Sequence, residues 1–101
     1  MKYGIYSIRD FKTGFLAPTV DQNDAAAIRN FEHAVMNTEQ SLFFSHPEDY
    51  ALYLVGEYNS EDGTIVPCLP CELITATQVF DSARSKLVKE VMPNGNEGRN
   101  T

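Results

Sequence analysis

Positive charge is scarce in this chain. Its 101 residues carry eight Lys and Arg against fourteen Asp and Glu, a formal net charge of −6. Nucleic-acid affinity rests largely on Lys and Arg neutralising phosphates, so the balance argues against a generic polyanion binder. Lys2, Arg9 and Lys12 lie near the N-terminus and Arg84, Lys86 and Lys89 near the C-terminus, while the stretch from Glu48 to Asp62 is strongly acidic. Any phosphate contact therefore requires a polarised molecule.

Other features are missing too. No apolar run approaches the ~20 residues needed to cross a bilayer. "MKYGIYSIRD" has a charge at Lys2 but no unbroken apolar stretch and no small-residue cleavage site, so no signal peptide is read and a cytoplasmic protein is expected. There is no Gly-rich phosphate loop, no G-x-S-x-G and no H-E-x-x-H. Nothing specific supports an enzyme, and no catalytic residue, cofactor or metal site is assigned. The two cysteines, Cys68 and Cys71, cannot close a zinc site alone, and His33 and His46 have no finger-like spacing to them. Their C-x-P-C spacing matches that of thioredoxin-type dithiols, but the βαβ context of that motif is missing. A redox role is the third reading, and reduced thiols packed at a strand end are the simpler one.

The residues that are present favour a folded α+β domain. Hydrophobic content of 43% suits a globule and not a disordered chain. "KYGIYSIRD" alternates, with Tyr3, Ile5 and Ser7 facing one way and Gly4, Tyr6 and Ile8 the other. "FKTG" reads as a hairpin loop closed by Gly14, and "FLAPTV" as a second strand that Pro18 confines to an edge or ends. "DQNDAAAIRNFEHAVMNT" is a helix, capped by Asn23 or Asp21 and stopped near Asn37. Its apolar stripe is Ala27, Ile28, Phe31, Ala34 and Val35. A long connection follows, in which Leu42, Phe43 and Phe44 pin the chain to the core.

"SHPEDY" places His46, Glu48 and Asp49 close together. Pro47 suits the first position of a helical turn, the two acids suit its N-terminal end, and Ser45 or His46 can cap it. The stretch reads as a turn. "ALYLVGEY" is a strand apolar on both faces, with Ala51, Tyr53 and Val55 against Leu52, Leu54 and Tyr58. "NSEDG" turns the chain at Asp62-Gly63, and "TIVPC" returns as a strand cut short by Pro67. Residues 71–80 lean to a short helix or irregular segment. "DSARSKLVKEV" reads as a frayed helix and "MPNGNEGRNT" as disordered. The expected plan is β-β-α-β-β: a four-stranded antiparallel sheet with one helix on one face. One domain spans 1–80, and 81–101 is an extension, partly helical and then disordered.

A single helix covers only one face of such a sheet, yet two of the strands are apolar on both faces. The C-terminal segment, a second subunit in a homodimer, or stacked bases should cover the other. Aromatic side chains on or beside strands (Tyr3, Tyr6, Phe11, Phe15, Tyr53, Tyr58) suit base stacking, worth about 1–3 kcal/mol per base.

"IYSIRD", "AAAIRNFEHAV" and "HPEDYALYLVGEYNSEDGTI" occur in this order. Their order and spacing resemble the small non-structural protein of the gokushoviruses, a subfamily of the Microviridae, tailless single-stranded-DNA phages of bacteria. The resemblance covers residues 1–80. It implies a protein made in the host bacterial cytoplasm and absent from the capsid shell. Members are usually labelled single-stranded-DNA-binding, and are thought to act when replication shifts to making and packaging single strands. No catalytic residues are carried over. On this reading Tyr6 and Tyr53 offer stacking surfaces, while Lys2, Arg9, Lys12 and Arg29 supply phosphate contacts. The alternative is a dimeric interaction module that recruits viral or host replication or packaging proteins.

Overall fold

The computed structural model describes residues 1–37 and 41–91. The elements run β1 (Lys2–Asp10), β2 (Gly14–Phe15), β3 (Thr19–Asp21), α1 (Asp24–Met36), α2 (Leu42–Ser45), a 3-10 turn (Pro47–Asp49), β4 (Tyr50–Asn59), β5 (Ile65–Thr75) and α3 (Ala76–Val91). The class is α+β, as expected, but among the described residues the sheet has five strands, and three α-helices replace the single one. All pairings are antiparallel. β1 and β4 form the centre, β5 is one edge, and β2 and β3 share the opposite edge alongside β1.

Proline chemistry explains one departure from the expected plan. The second strand is two short pieces, because the chain steps out of the ladder over residues 16–18, ending at Pro18. Leu16 holds the step: its N–H donates to the Ile8 carbonyl at 2.8 Å, and its carbonyl accepts from Ser7 Oγ at 2.6 Å. Pro67 does not end the last strand. β5 is an edge strand, where a missing donor is tolerated, and it continues through the segment expected to be helical or irregular, as far as Thr75. There α3 takes over and runs across residue 80. At that junction the Thr75 hydroxyl accepts from the Gln78 N–H, and the Gln78 side chain accepts from the Thr75 N–H. This reciprocal pair satisfies donors a helix start leaves open. The segment expected to be disordered, 92–101, lies outside the described residues.

α1 follows its sequence closely. The Asn23 side chain accepts from the Ala26 N–H at 2.8 Å, Asp24 occupies the first turn, and Asn37 is the C-cap. Ala27, Phe31 and Val35 are its buried residues. Burying a side chain the size of Phe31 contributes about 1.5–3 kcal/mol. These three join Tyr6, Tyr50, Leu52, Ala76 and Val79 in one core cluster, with Ile8, Leu54, Leu73, Ile74 and Phe80 packed against it. Ala76 and Val79 belong to α3, so both long helices lie on the same face of the sheet. No described helix is long and apolar enough to cross a membrane.

The "SHPEDY" stretch is the expected turn, with Pro47 at the start of the 3-10 segment. The caps match expectation in part. His46 is the N-cap of the turn, but through its backbone, its carbonyl accepting from the Asp49 N–H at 3.1 Å; Ser45 Oγ instead donates to the Ser41 carbonyl one helical turn back. Ser41 is the residue that caps α2. Phe43, on α2, meets Tyr50 edge-on at 4.7 Å, and Phe44 meets Phe80 at 5.4 Å. The connection is pinned through Phe43 and Phe44, whereas Leu42 is exposed.

Candidate functional site

The face of the sheet opposite the helices is where the sequence leaves most unexplained, and its composition follows from register. On β1, alternation puts Gly4, Tyr6, Ile8 and Asp10 under the helices and Tyr3, Ile5, Ser7 and Arg9 on the other side. Partners across the ladder share a face, so Ser7↔Tyr53, Arg9↔Ala51 and Arg9↔Phe15 extend the second set. The β1–β4 register shifts between Ile5 and Tyr6, with Ile5 opposite Gly56 and Tyr6 opposite Leu54. Val55 is the extra residue of a bulge. Strict alternation expects Tyr58 to face away from Tyr53; the bulge reverses this and brings Tyr58 to the same face, opposite Tyr3.

Arg9 is the centre of this surface. Its guanidinium carbon lies 4.8 Å from the ring centre of Phe11, 5.6 Å from Phe15 and 5.9 Å from Tyr53. Phe15 meets Tyr53 edge-on at 5.3 Å. A cation over an aromatic face is held by about 0.5–1 kcal/mol at exposed sites, and three rings share this one. Among the described residues Arg9 forms no salt bridge. The Tyr53 hydroxyl donates to Glu72 on β5 at 3.3 Å, which places an acid beside this surface. At the far end Tyr3 and Tyr58 lie nearly parallel, 6.5 Å apart with 25° between ring planes. Ile65, the register partner of Tyr58, is exposed beside them.

The six residues expected from sequence divide sharply. Arg9 and Tyr53 come together on the uncovered face. Tyr6 does not join them, and its assignment as a stacking surface is corrected. It is 1% exposed, it packs beneath α1, and its hydroxyl donates to Asp24 Oδ1 at 2.7 Å. Burial, reinforced by Asp24, pushes its phenol far above the usual tyrosine range. Lys2 alternates onto the helix side and forms an ion pair with Glu57 at 3.8 Å. Arg29 is exposed on α1, across the sheet from Arg9. Lys12 sits in the β1–β2 turn, where its backbone N–H donates to Asp10. That bond holds the Asp10 carboxyl below its ordinary range, with further bonds from Thr13 and Tyr50. Tyr53 is itself 9% exposed, roofed by its neighbours, whereas Phe11 and Phe15 are each 46% exposed. The sequence carried the signal for Tyr3, six residues and therefore an even number from Arg9. It carried none for Tyr58, which reaches the face only through the bulge.

Other clefts offer less. A shallow one of about 470 Å³ lies between the start of β1 and the start of α1, lined by Lys2, Tyr6, Asp24 and Glu57 among others. Its charges are already engaged, Lys2 with Glu57 and Asp24 with Tyr6. Among the described residues no three His, Cys, Asp or Glu converge on a common point. Cys68 and Cys71 are exposed on β5, not at a helix start. The helix N-terminus that lowers the thiol pKa of thioredoxin-type dithiols is therefore missing from their surroundings.

The face of the sheet away from the helices thus carries Arg9 set among aromatic rings. A family model described as Phage ORF5 protein matches residues 3–79, and the chain belongs to that family. The matched segment runs from the second residue of β1 to four residues into α3, so it includes the sheet except Lys2, together with α1. Neither the curated proteins nor the solved structures contain a match.

Proposed function

We propose that this phage protein is a non-enzymatic, non-structural protein of a gokushovirus that works in the host bacterial cytoplasm. It assists single-stranded-DNA replication or packaging by binding single-stranded DNA on the uncovered face of the sheet. The observation that carries this reading is Arg9 held among Phe11, Phe15 and Tyr53 on the face neither long helix covers. Unpaired bases present flat apolar surfaces that duplex DNA hides. Phe11, Phe15, Tyr3 and Tyr58 offer rings for them, and Arg9 offers a guanidinium to the backbone between. Stacking contributes about 1–3 kcal/mol per base and is sequence-tolerant. Membership of a phage family and the order of the three motifs support the phage assignment.

This mode fits an acidic protein. With one or two phosphates neutralised, the salt slope for single strands is about −0.7 per contact, much shallower than that of a basic binder. Fluorescence anisotropy with labelled single- and double-stranded oligonucleotides at two salt concentrations tests it. The expected result is a clear preference for the single strand, with a shallow salt dependence. Equal affinity for both forms, or no binding by folded protein, would reject the reading.

A second reading rests on Ile65, Val66 and Leu69, all exposed along β5. An apolar margin of this kind suits protein contact, as in a dimeric module that recruits viral or host replication or packaging proteins. A sizing column across a dilution series separates the two: a compact monomer that binds oligonucleotide favours the first.

A further inference from the structure

The β4–β5 ladder contains a second irregularity, independent of the aromatic face. Gly56 pairs with Pro67 and Leu54 pairs with Cys71. Between these pairs the chain takes two residue steps along β4 and four along β5. At ~3.3 Å per residue, four extended residues span ~13 Å and two span ~7 Å. The two-residue excess must bow out of the pairing within Cys68, Leu69 and Pro70, which have no register partner on β4. Leu69, at the outermost point, is 90% exposed.

This shape matters for the two thiols. In a regular strand, residues three apart lie ~10 Å from each other and point to opposite faces. Here the segment between them departs from regular strand pairing. Leu54 relates the two: Cys71 is its register partner, with its Sγ 4.0 Å from the Glu72 carbonyl oxygen, and Cys68 Sγ lies 3.8 Å from the Leu54 carbonyl oxygen. Both are exposed and unbonded to each other. C-x-x-C on a turned-out segment is the spacing of half a four-thiolate zinc site. Among the described residues no third His, Cys, Asp or Glu joins them. A closed tetrahedral site thus needs two ligands from another molecule, and a two-fold related copy supplies an identical pair.

We propose that Cys68 and Cys71 form half of a Zn²⁺ site completed by the same two residues of a second copy of this chain. Each thiol loses its proton to solvent as its sulfur–zinc bond forms, and no electron is transferred. The two-fold arrangement brings the exposed Leu69 side chains toward each other around the metal, which gives them an apolar partner in place of water.

The test uses the full chain, reduced and stripped of metal, and titrated with Zn²⁺ alone. Expected are binding of one zinc ion per two chains, doubling of the mass on a sizing column, and reversal by a chelator. Co²⁺ should give the visible absorption of a tetrahedral thiolate site. Cys71→Ser should abolish the doubling while leaving the circular dichroism spectrum unchanged. Leu69→Glu, which keeps all ligands, should weaken zinc-dependent dimerisation at least tenfold. Zinc bound one per chain by a monomer, no zinc binding by folded protein, or a dimer that survives both the chelator and Cys71→Ser would each overturn the proposal.

Discussion

The Tyr6 hydroxyl donates to Asp24 Oδ1 across 2.7 Å, tying the middle of β1 to the first turn of α1. The phenol reaches that far because Gly4, two residues back on the same face, has no side chain: a Cβ there would overlap the Tyr6 ring and hydroxyl. Gly4→Ala should therefore displace Tyr6 and destabilise the fold by about 1–3 kcal/mol, the usual cost of overpacking. A urea titration of the variant, read by circular dichroism, checks this; an unshifted midpoint would contradict it.

The same bond has a signature at high pH. Burial and Asp24 raise the Tyr6 phenol in the folded state. A raised folded value stabilises fully below the unfolded value of 10.0 and is lost as pH rises from there toward the folded value. Stability should thus fall above about pH 10. Tyr6→Phe should cost about 0.5–1.5 kcal/mol at pH 7 but show a flatter decline in alkali. Tyr50, whose phenol is also raised, by burial first and then Asp10, leaves a residual slope. Melting temperatures of both proteins between pH 7 and 11 decide the matter.

Acid should act through the turns. Hydrogen bonds from the Thr64 side chain and backbone hold the Asp62 carboxyl below its ordinary 3.8, and the Lys12 N–H does the same for Asp10. A lowered folded value stabilises above the unfolded one, and the contribution is lost as pH falls through the folded value. The wild type should lose stability below pH 4, and the double variant Asp10→Asn/Asp62→Asn should lose less over the same window. Equal slopes from pH 5 to 2 would show that these two bonds are not linked to folding.

For single-strand binding, the two sides of the sheet should respond differently. Arg9→Ala and Tyr58→Ala should each weaken binding about tenfold, in line with about 1–3 kcal/mol per stacked base. Lys2→Ala, on the helix side and already paired with Glu57, should change it less than twofold. Arg9→Ala should also flatten the salt dependence by roughly one phosphate contact. If Lys2 proves the more sensitive position, the bare face is not where DNA lies.

Much of this architecture could be read from the chain. α1 carries its own cap, stripe and stop, and Gly14 and Gly63 adopt the positive φ their turns require. β1 alternates as written. The failures lie where local rules give way to tertiary placement. Pro67 reads as a strand terminator, but at an edge its missing donor costs little. Residues 71–75 have mixed periodicity and became strand because β4 offered them a partner. Tyr6 and Tyr53 both read as strand tyrosines, and only register shows that one is buried beneath a helix. Tyr58 depends on a bulge that no propensity marks. The direction of α3 was equally hidden, since its apolar residues fit either side until Ala76 and Val79 met Phe31 and Val35.

Placing both long helices on one side separates two kinds of constraint within a single sheet. Replacements at Tyr6, Phe31 or Leu52 should reduce the amount of folded protein in an infected cell. Replacements at Tyr3, Arg9, Phe15 or Tyr58 should leave abundance intact yet lower phage yield. A mutational screen scored for both quantities would then sort this protein's residues by the direction in which they leave the plane of the backbone.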